Sequence, residues 1–565
     1  MIESLDMQRL TTDISLAIYA DVLHANSTVY EWLVQQAQQT QRQEDAEEML
    51  NRLTAAARFA AKFHPGRFVD GAIENLAWRI GSELTESVDQ CSSFSWLPNR
   101  KDMRRHILHV ASEVLDVGGH TRMLYHWVGH DRDSRHSLVI LNQNDDIPLP
   151  QWLCKRIQRN RGELLVFPNK ASACQKASWL RTLSRKSADL VILHQHTDDV
   201  VPTIAFATMD CPPVLFVNHA DHVFWLGSSV SDLVINLRTA ASNHSIERRF
   251  ISNNTMVPIP ILDELGRISR ADARRKLGIS DHQVMLLSIG RAEKYRSCGP
   301  FSFVATAGKI LNSQTHAHLY IVGETATGIA PYVRGPIHER LHFVGQKLDP
   351  FLYRAAADIY LESFPFGSNT ALLEAALMGI PVVPAYAPLF PLLVAGTDAV
   401  QDLLSNPINE QAYIEQVESL TQSQEQRVDF GQKLRTCLIS NHVGKGWLNH
   451  LIALYQKTDS LTHSPRLIPI VPFSSTDADV SLSLWSFMAD GKTNFATATL
   501  GDITPAILRH HAYVAKYVGN YGAAQRLAWR ALQCDPYART SLRLLAVTLL
   551  GWGIRFIRRL VHRNN

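Results

Sequence analysis

From Arg105 onward the chain falls into short apolar runs separated by stretches with helical spacing: Ile107 to Val110, Ser137 to Leu141, Leu164 to Phe167, Leu190 to Leu193 and Val214 to Val217. A second series follows at Val284 to Ile289, Leu319 to Val322, Leu341 to Val344 and Ile359 to Leu361, and ends at Val382. Such runs alternating with helices imply strands covered on both faces, the pattern of a mainly parallel sheet. Two series predict two sheets, hence two lobes. In open sheets of this kind ligands bind beyond the carboxyl ends of the strands, so a site is expected in the cleft between the lobes.

At 565 residues the chain is too long for one core. Residues 1–100 show helical periodicity over Ile14 to Gln39 and Ala46 to Lys62, which predicts a helical domain, and the turn-rich Phe63 to Asn75 reads as an interhelical connection. The lobes are then expected at 101–265 and 266–463, followed over 464–565 by a Pro- and Ser-rich linker, Ser464 to Thr476, and further helices. With 46% hydrophobic and 19% charged residues and a net charge of +3, global charge points to no nucleic-acid partner. No apolar run is long enough to span a membrane. The start, Met1-Ile-Glu-Ser-Leu-Asp6, lacks a basic segment before an apolar core, so a cytoplasmic protein is expected. The seven cysteines, at 91, 154, 174, 211, 298, 437 and 534, stand singly and read as reduced, structural residues rather than a zinc site or disulfide framework.

The densest local signal is Asp358 to Val383. Ile359 to Leu361 reads as a strand, Pro365 and Gly367 break it, Thr370 to Met378 reads as a helix stopped by Gly379, and Pro381 to Val383 reads as the next strand. A helix entered through Gly367, Ser368, Asn369 and Thr370 offers free backbone N–H groups and the positive end of its dipole, which suits phosphate oxygens. Leu373 to Val383, with its Glu-Ala, Gly and Pro-Val-Val, resembles the donor-binding motif of nucleotide-sugar glycosyltransferases built from two Rossmann-like lobes, the GT-B architecture. The resemblance implies that the loop holds sugar and diphosphate while Glu374 binds the ribose. Family 4 enzymes carry another Glu eight positions earlier, where this chain has Phe366. Phe364 to Thr370 is more similar to the O-linked N-acetylglucosamine transferases and the adhesin N-glycosyltransferases, in which Thr and small polar residues touch the phosphates.

Further motifs fall at other predicted strand ends. Val114 to Met123 resembles the glycine-rich first loop of GT-B enzymes, where Gly118 and Gly119 allow close backbone approach and a helix begins near Thr121. His120 follows these glycines and is a catalytic candidate. His194 and His196 close the fourth run on one side of the strand, and family 4 enzymes often have a His-x-His there; His196 is assigned with Gly118 and Gly119 to the acceptor side. Two histidines without neighbouring carboxylates or thiols make a poor zinc site, so no metal is expected. His219 and His222 flank Asp221 in a loop resembling the acceptor-side loop of the adhesin N-glycosyltransferases, and are candidates to take the acceptor's proton. Leu287 to Arg296 resembles the Gly-Arg-x-x-Lys motif whose cations, here Arg291 with Lys294 or Arg296, meet the charge growing on a leaving diphosphate. Gly345 to Lys347 are candidate contacts to the nucleobase.

Together the resemblances imply a bacterial-type hexosyltransferase that moves sugar from a nucleotide diphosphate to a protein, glycan or lipid-linked acceptor, with no cofactor and no metal. Histidine and arginine dominate the candidate site, whereas the rival reading, a nucleotide-sugar epimerase, calls for acid/base carboxylates beside the sugar. A third reading is a non-catalytic helical scaffold. Gly519 to Pro536 resembles one tetratricopeptide unit, and Trp552 to Arg563 reads as a basic amphipathic helix suited to peripheral contact with an anionic membrane surface.

Overall fold

The computed structural model describes residues 16–41, 46–84, 103–116, 119–296, 302–330, 333, 336–347, 349–364, 367–386, 400, 403–476, 478–480, 482–483, 508–509, 512–513, 516, 521–534, 536 and 539–563. It is an α/β structure with the two Rossmann-like lobes expected from the strand series. The N-terminal lobe holds strands β1 (His106–Ala111), β2 (Arg135–Ile140), β3 (Leu164–Val166), β4 (Leu190–His194), β5 (Val214–Asn218), β6 (Leu233–Asn236) and β7 (Asn254–Met256), in the order β3-β2-β1-β4-β5-β6-β7. The last two extend the sheet beyond the apolar runs: β7 is Asn-Thr-Met, too short and polar to read as a strand by itself. The C-terminal lobe holds β8 (Val284–Ile289), β9 (Ala317–Val322), β10 (Leu341–Gly345), β11 (Ile359–Leu361) and β12 (Val382–Val383), in the order β10-β9-β8-β11-β12. Every pairing in both sheets is parallel.

In each lobe the order reverses beside the first strand, between β1 and β4 and between β8 and β11. These are the switch points where connecting loops diverge and leave a crevice. The loops after those four strands carry most of the candidate residues.

Helices Leu16–Gln41, Ala46–Lys62 and Gly71–Glu83 form the N-terminal helical region. Its middle helix buries Leu50, Leu53, Ala57 and Ala60 along one stripe, as 3.6-residue periodicity requires. The Phe63–Asp70 connection is largely buried and carries polar anchors: Arg67 donates to Glu31 and to the Val471 carbonyl, and Asp70 caps the third helix through the Ala72 amide. Val471 lies in the Ser464–Thr476 segment, which is an extended strap along the helical region. Asn75 and Ile468 exchange hydrogen bonds at 2.8 and 2.9 Å, and Arg466 donates its amide to the Ser229 carbonyl of the N-terminal lobe. Prolines suit such a segment because they fix an extended backbone and need no partner for an N–H.

Helix Gly444–Thr458 follows the second lobe in sequence but packs on the first. Trp447 is fully buried, donates Nε1–H to the Pro258 carbonyl at 2.7 Å and meets Trp127 edge-on at 5.6 Å. At the C-terminus, helices Tyr521–Cys534 and Arg539–Arg563 pack together, and Ala524 joins the buried cluster of the helical region. Gly519 and Asp535 of the tetratricopeptide-like match lie outside the described residues, as do the side chains beyond Gly551. Among the described residues no helix is long and apolar enough to cross a membrane.

Candidate active site

The second lobe brings its two phosphate-type motifs into contact. β8 ends at Ile289, and Gly290 leads into a short 3-10 turn, Ala292–Lys294, that aims Lys294 at the loop after β11. Lys294 donates from Nζ to the Gly367 carbonyl. Gly290 lies close against both: a Cβ there would stand 2.8 Å from Lys294 Cδ and 3.2 Å from Ser368 Oγ, so the lysine side chain would have to shift. Gly323, at φ +118°, lets β9 pass as closely on the other side, since a Cβ there would lie 2.3 Å from the Gly290 carbonyl oxygen. Arg291 is exposed at the start of the turn, without an ion-pair partner among the described residues.

Helix Asn369–Leu377 begins directly after Ser368, whose side chain makes no capping hydrogen bond. Beneath the loop lies a residue that sequence reasoning passed over. Glu362 follows β11 immediately, is buried, and accepts the amides of Ser363 at 3.2 Å and of Ser368. Burial pushes its carboxyl up to about 7, against the opposing pull of the Ser368 amide and Lys294. The one available signal was position, a carboxylate at the carboxyl end of the strand beside the switch point.

Glu374, expected at the ribose, stands in the second turn of this helix and is held by Arg354: Nη1 donates to Oε2 at 2.9 Å, while Nη2 reaches Glu264 at 2.7 Å. Arg122 of the other lobe lies 3.8 Å from Glu374 Oε1. Gly345, at φ +75°, ends β10, donates its amide to the Glu324 carbonyl and accepts from the Gly323 amide, both at 2.9 Å. It is thus on the strand-end loops of the same lobe.

The first lobe faces this loop closely. A Cβ placed on Gly119 would be 3.4 Å from Thr370 Oγ1, so the first turns of helices Gly119–His130 and Asn369–Leu377 approach across the cleft. Gly118 lies outside the described residues. His120 and His219 come together, with ring centroids 4.8 Å apart. His120 Nε2–H donates to the His194 carbonyl at 2.8 Å, and His219 Nδ1–H donates to the Val217 carbonyl at 3.2 Å, leaving a bare nitrogen on each ring. Burial, reinforced by the neighbouring imidazoles, pushes His120 well below the ordinary value, and His219 goes down to about 4, chiefly through burial. At neutral pH both rings are therefore uncharged and hold a lone pair.

His222 is close enough to His219 to lower it electrostatically. It lies 3.4 Å from Asp221, which Arg238 grips with both nitrogens of its fork. Burial alone would raise the Asp221 carboxyl, but the Arg238 guanidinium and His222 hold it well below the usual carboxylate range. Asp221 therefore serves Arg238 first. His196, which also lowers His120 and His219 electrostatically, lines a neighbouring cleft of about 390 Å³ with Thr54 and Arg58 of the helical region and with Ser112, Lys176 and Asp198. Its amide is held by Ser112 Oγ at 2.8 Å. Among the described residues no group of three or more His, Cys, Asp or Glu is placed to hold a metal ion.

No protein-family model and no curated protein sequence matches the chain. Solved structures with a similar arrangement include HepE of Anabaena in complex with UDP, at 15% identity and TM-score 0.48 over 62% of this chain and 100% of that one. Another is the Thermobaculum terrenum O-GlcNAc transferase, at 16% identity and TM-score 0.45 over 78% of this chain and 83% of that one. A third is the sucrose-phosphate synthase of Thermosynechococcus elongatus, at 12% identity and TM-score 0.46 over 63% and 100%. These likenesses are distant, and the fold assignment stands on the strand order itself.

Proposed function

We propose that the protein is a glycosyltransferase that moves a sugar from a nucleotide diphosphate donor to an acceptor entering from the N-terminal lobe. The observation that carries this reading is the joint built by Lys294, Gly290 and the Ser368–Thr370 helix entrance, set opposite two neutral histidines. Charge develops on the diphosphate as the sugar–phosphate bond breaks. Preorganised cations and helix N–H groups are worth most at that moment, because they need no reorganisation. In this reading Arg291, Lys294 and the helix dipole meet that charge without a metal ion, and the nucleobase sits near Gly345.

On the other side, the bare nitrogen of His219 or His120 takes the acceptor's proton as its electron pair attacks the anomeric carbon. The 390 Å³ cleft beside His196 is the acceptor's path, and its mixed lining of Arg58, Lys176 and Asp198 suits a polar peptide or glycan rather than an acyl chain. The test is a thermal-shift screen of nucleotide diphosphate sugars, followed by turnover with the stabilising donor. A donor that raises the Tm of the wild type but not of Lys294→Ala supports the reading. If no nucleotide sugar stabilises the protein, and Arg291→Ala and Lys294→Ala match wild type in every assay, the reading is wrong.

A further inference from the structure

Behind the cleft, three histidines cross the apolar core of the N-terminal lobe. Register pairs Ile107 with His136 on one side, and Ala111 with His194 on the other. Period-two alternation then puts His136, His109 and His194 on one face of three adjacent strands, in a diagonal row. All are 0% exposed, among Ile107, Ile192, Leu215, Trp127 and Trp447. His194 Nε2 lies 3.0 Å from His109 Nδ1, and His109 Nε2 lies 2.9 Å from His136 Nδ1. The row ends at Asp131, whose Oδ2 lies 3.2 Å from His136 Nε2 in an ion-pair contact outside hydrogen-bond geometry, and accepts the Tyr455 hydroxyl at 2.7 Å. At its other end His194 Nδ1 is buried without a hydrogen-bond partner among the described residues. That ring lies 5.8 Å from His120, which in turn neighbours His219.

The carboxylate sets the direction of the row. An ionised carboxylate only accepts, so His136 presents Nε2–H toward Asp131, and in its neutral form it keeps Nδ1 bare. His109 must then donate Nε2–H to His136, and His194 must donate Nε2–H to His109. Burial and, secondarily, neighbouring imidazoles hold His109 well below the ordinary value, and His194 is down to about 3, so neither ring carries charge at neutral pH. Burial would raise the Asp131 carboxyl, but its interactions with His136, Tyr455 and Ser134 bring it down to about 2. The result is a head-to-tail line of dipoles that leaves its last lone pair on His194 Nδ1, beside the cleft histidines. Three polar rings at these core positions are costly unless each is bonded, and apolar residues would have filled the space at less cost.

We propose that Asp131, His136 and His109 are positioning residues that hold His194 in the Nε2–H tautomer, so that its Nδ1 lone pair faces and stabilises the imidazolium formed when His219 or His120 deprotonates the acceptor. This rests on the glycosyl-transfer reading for the source of that proton. In the step itself the acceptor's X–H bond breaks, its proton bonds to the cleft imidazole, its electron pair bonds to the anomeric carbon, and the C–O pair leaves on the diphosphate. The proton departs to water with product release; none is passed to Asp131.

Nitrogen-15 NMR of histidine-labelled full-length protein at pH 7 reads the tautomers without any turnover. Bare Nδ1 on His109, His136 and His194 is expected, and an Nδ1–H tautomer or a charged ring at any of the three would overturn the proposal. Asp131→Asn can donate an amide N–H to His136 Nε2, so it should invert the row. The expected kinetic result is a fall in kcat of about tenfold or more with donor KM unchanged, and recovery of tautomers and rate in Asp131→Glu. A folded Asp131→Asn protein with an inverted row and wild-type kcat would also overturn it. Failure of every donor with the wild type would sink the glycosyl-transfer reading and with it the role of the row in proton uptake, while the tautomer pattern would still stand or fall by its own spectrum.

Discussion

Lys294 donates its ammonium to the carbonyl of Gly367, so the turn after β8 and the loop after β11 are held as one unit. The two segments are far apart in sequence, and each alone offers only half of what a diphosphate needs. Together they supply a compact cation next to a helix entrance.

Removing that cation should be felt at the chemical step. Lys294→Ala is expected to lower kcat about a hundredfold and to shrink the donor-dependent rise in Tm. Exposed Arg291 should matter less, about tenfold on truncation to Ala, because a solvated cation contributes less. Steady-state kinetics with the stabilising donor measure both, and equal effects would mean that the joint with Gly367 confers nothing.

The two cleft histidines should act on kcat alone. His219→Ala and His120→Ala are each expected to cost about a hundredfold in kcat while the donor-dependent Tm shift stays at its wild-type size. Since burial takes His219 down to about 4 from an ordinary 6.5, kcat/KM should stay level from pH 8 to below pH 6 and fall only toward pH 4. An inflection near 6.5 would remove His219 from the role of base.

Glu362 should leave a signature in stability against pH. Its folded value of about 7 lies above the ordinary 4.5, so the folded state holds the proton more tightly. The stabilisation is complete below pH 4.5, is lost as pH rises to about 7 and is absent above it. The full difference is on the order of 3 kcal/mol. Glu362→Gln keeps an acceptor for the Ser368 amide and cannot ionise, so its Tm should overtake wild type across that window. Parallel Tm curves for the two proteins would show that the carboxyl ionises freely in the fold.

Arg354 should behave as a structural keystone. It is buried and joins Glu264 to Glu374, so Arg354→Met would leave two carboxylates without their shared cation. A loss of about 3–5 kcal/mol is expected in denaturant unfolding. Adding Glu264→Gln should recover part of it, and a double variant no more stable than the single would contradict a shared ion network.

Much of the scaffold was legible because its signals are local. Ten of the twelve strands lie on the apolar runs, and the helix entrance at Ser368 follows from Gly and small polar residues a few positions apart. The candidate residues were harder to read. His120 and His219 come from loops of different strands and meet at 4.8 Å, whereas His222, equally suggestive in sequence, is drawn toward Asp221 and Arg238. Glu362 directly follows the run Ile359 to Leu361, and nothing local shows that its carboxyl turns under the Ser368 amide.

By itself the sequence determined where strands and helices form and which loops can bind an anion, since periodicity, glycine and helix-entrance chemistry act over a few residues. Only the tertiary structure decided that Lys294 reaches Gly367, that Arg354 claims Glu374, and that His109, His136 and His194 line up toward Asp131. The physical reason is strand order. Alternation tells each strand which side chains share a face, but the neighbour that face meets is chosen by long crossovers, and β1 comes to lie between β2 and β4 only when the whole lobe has folded.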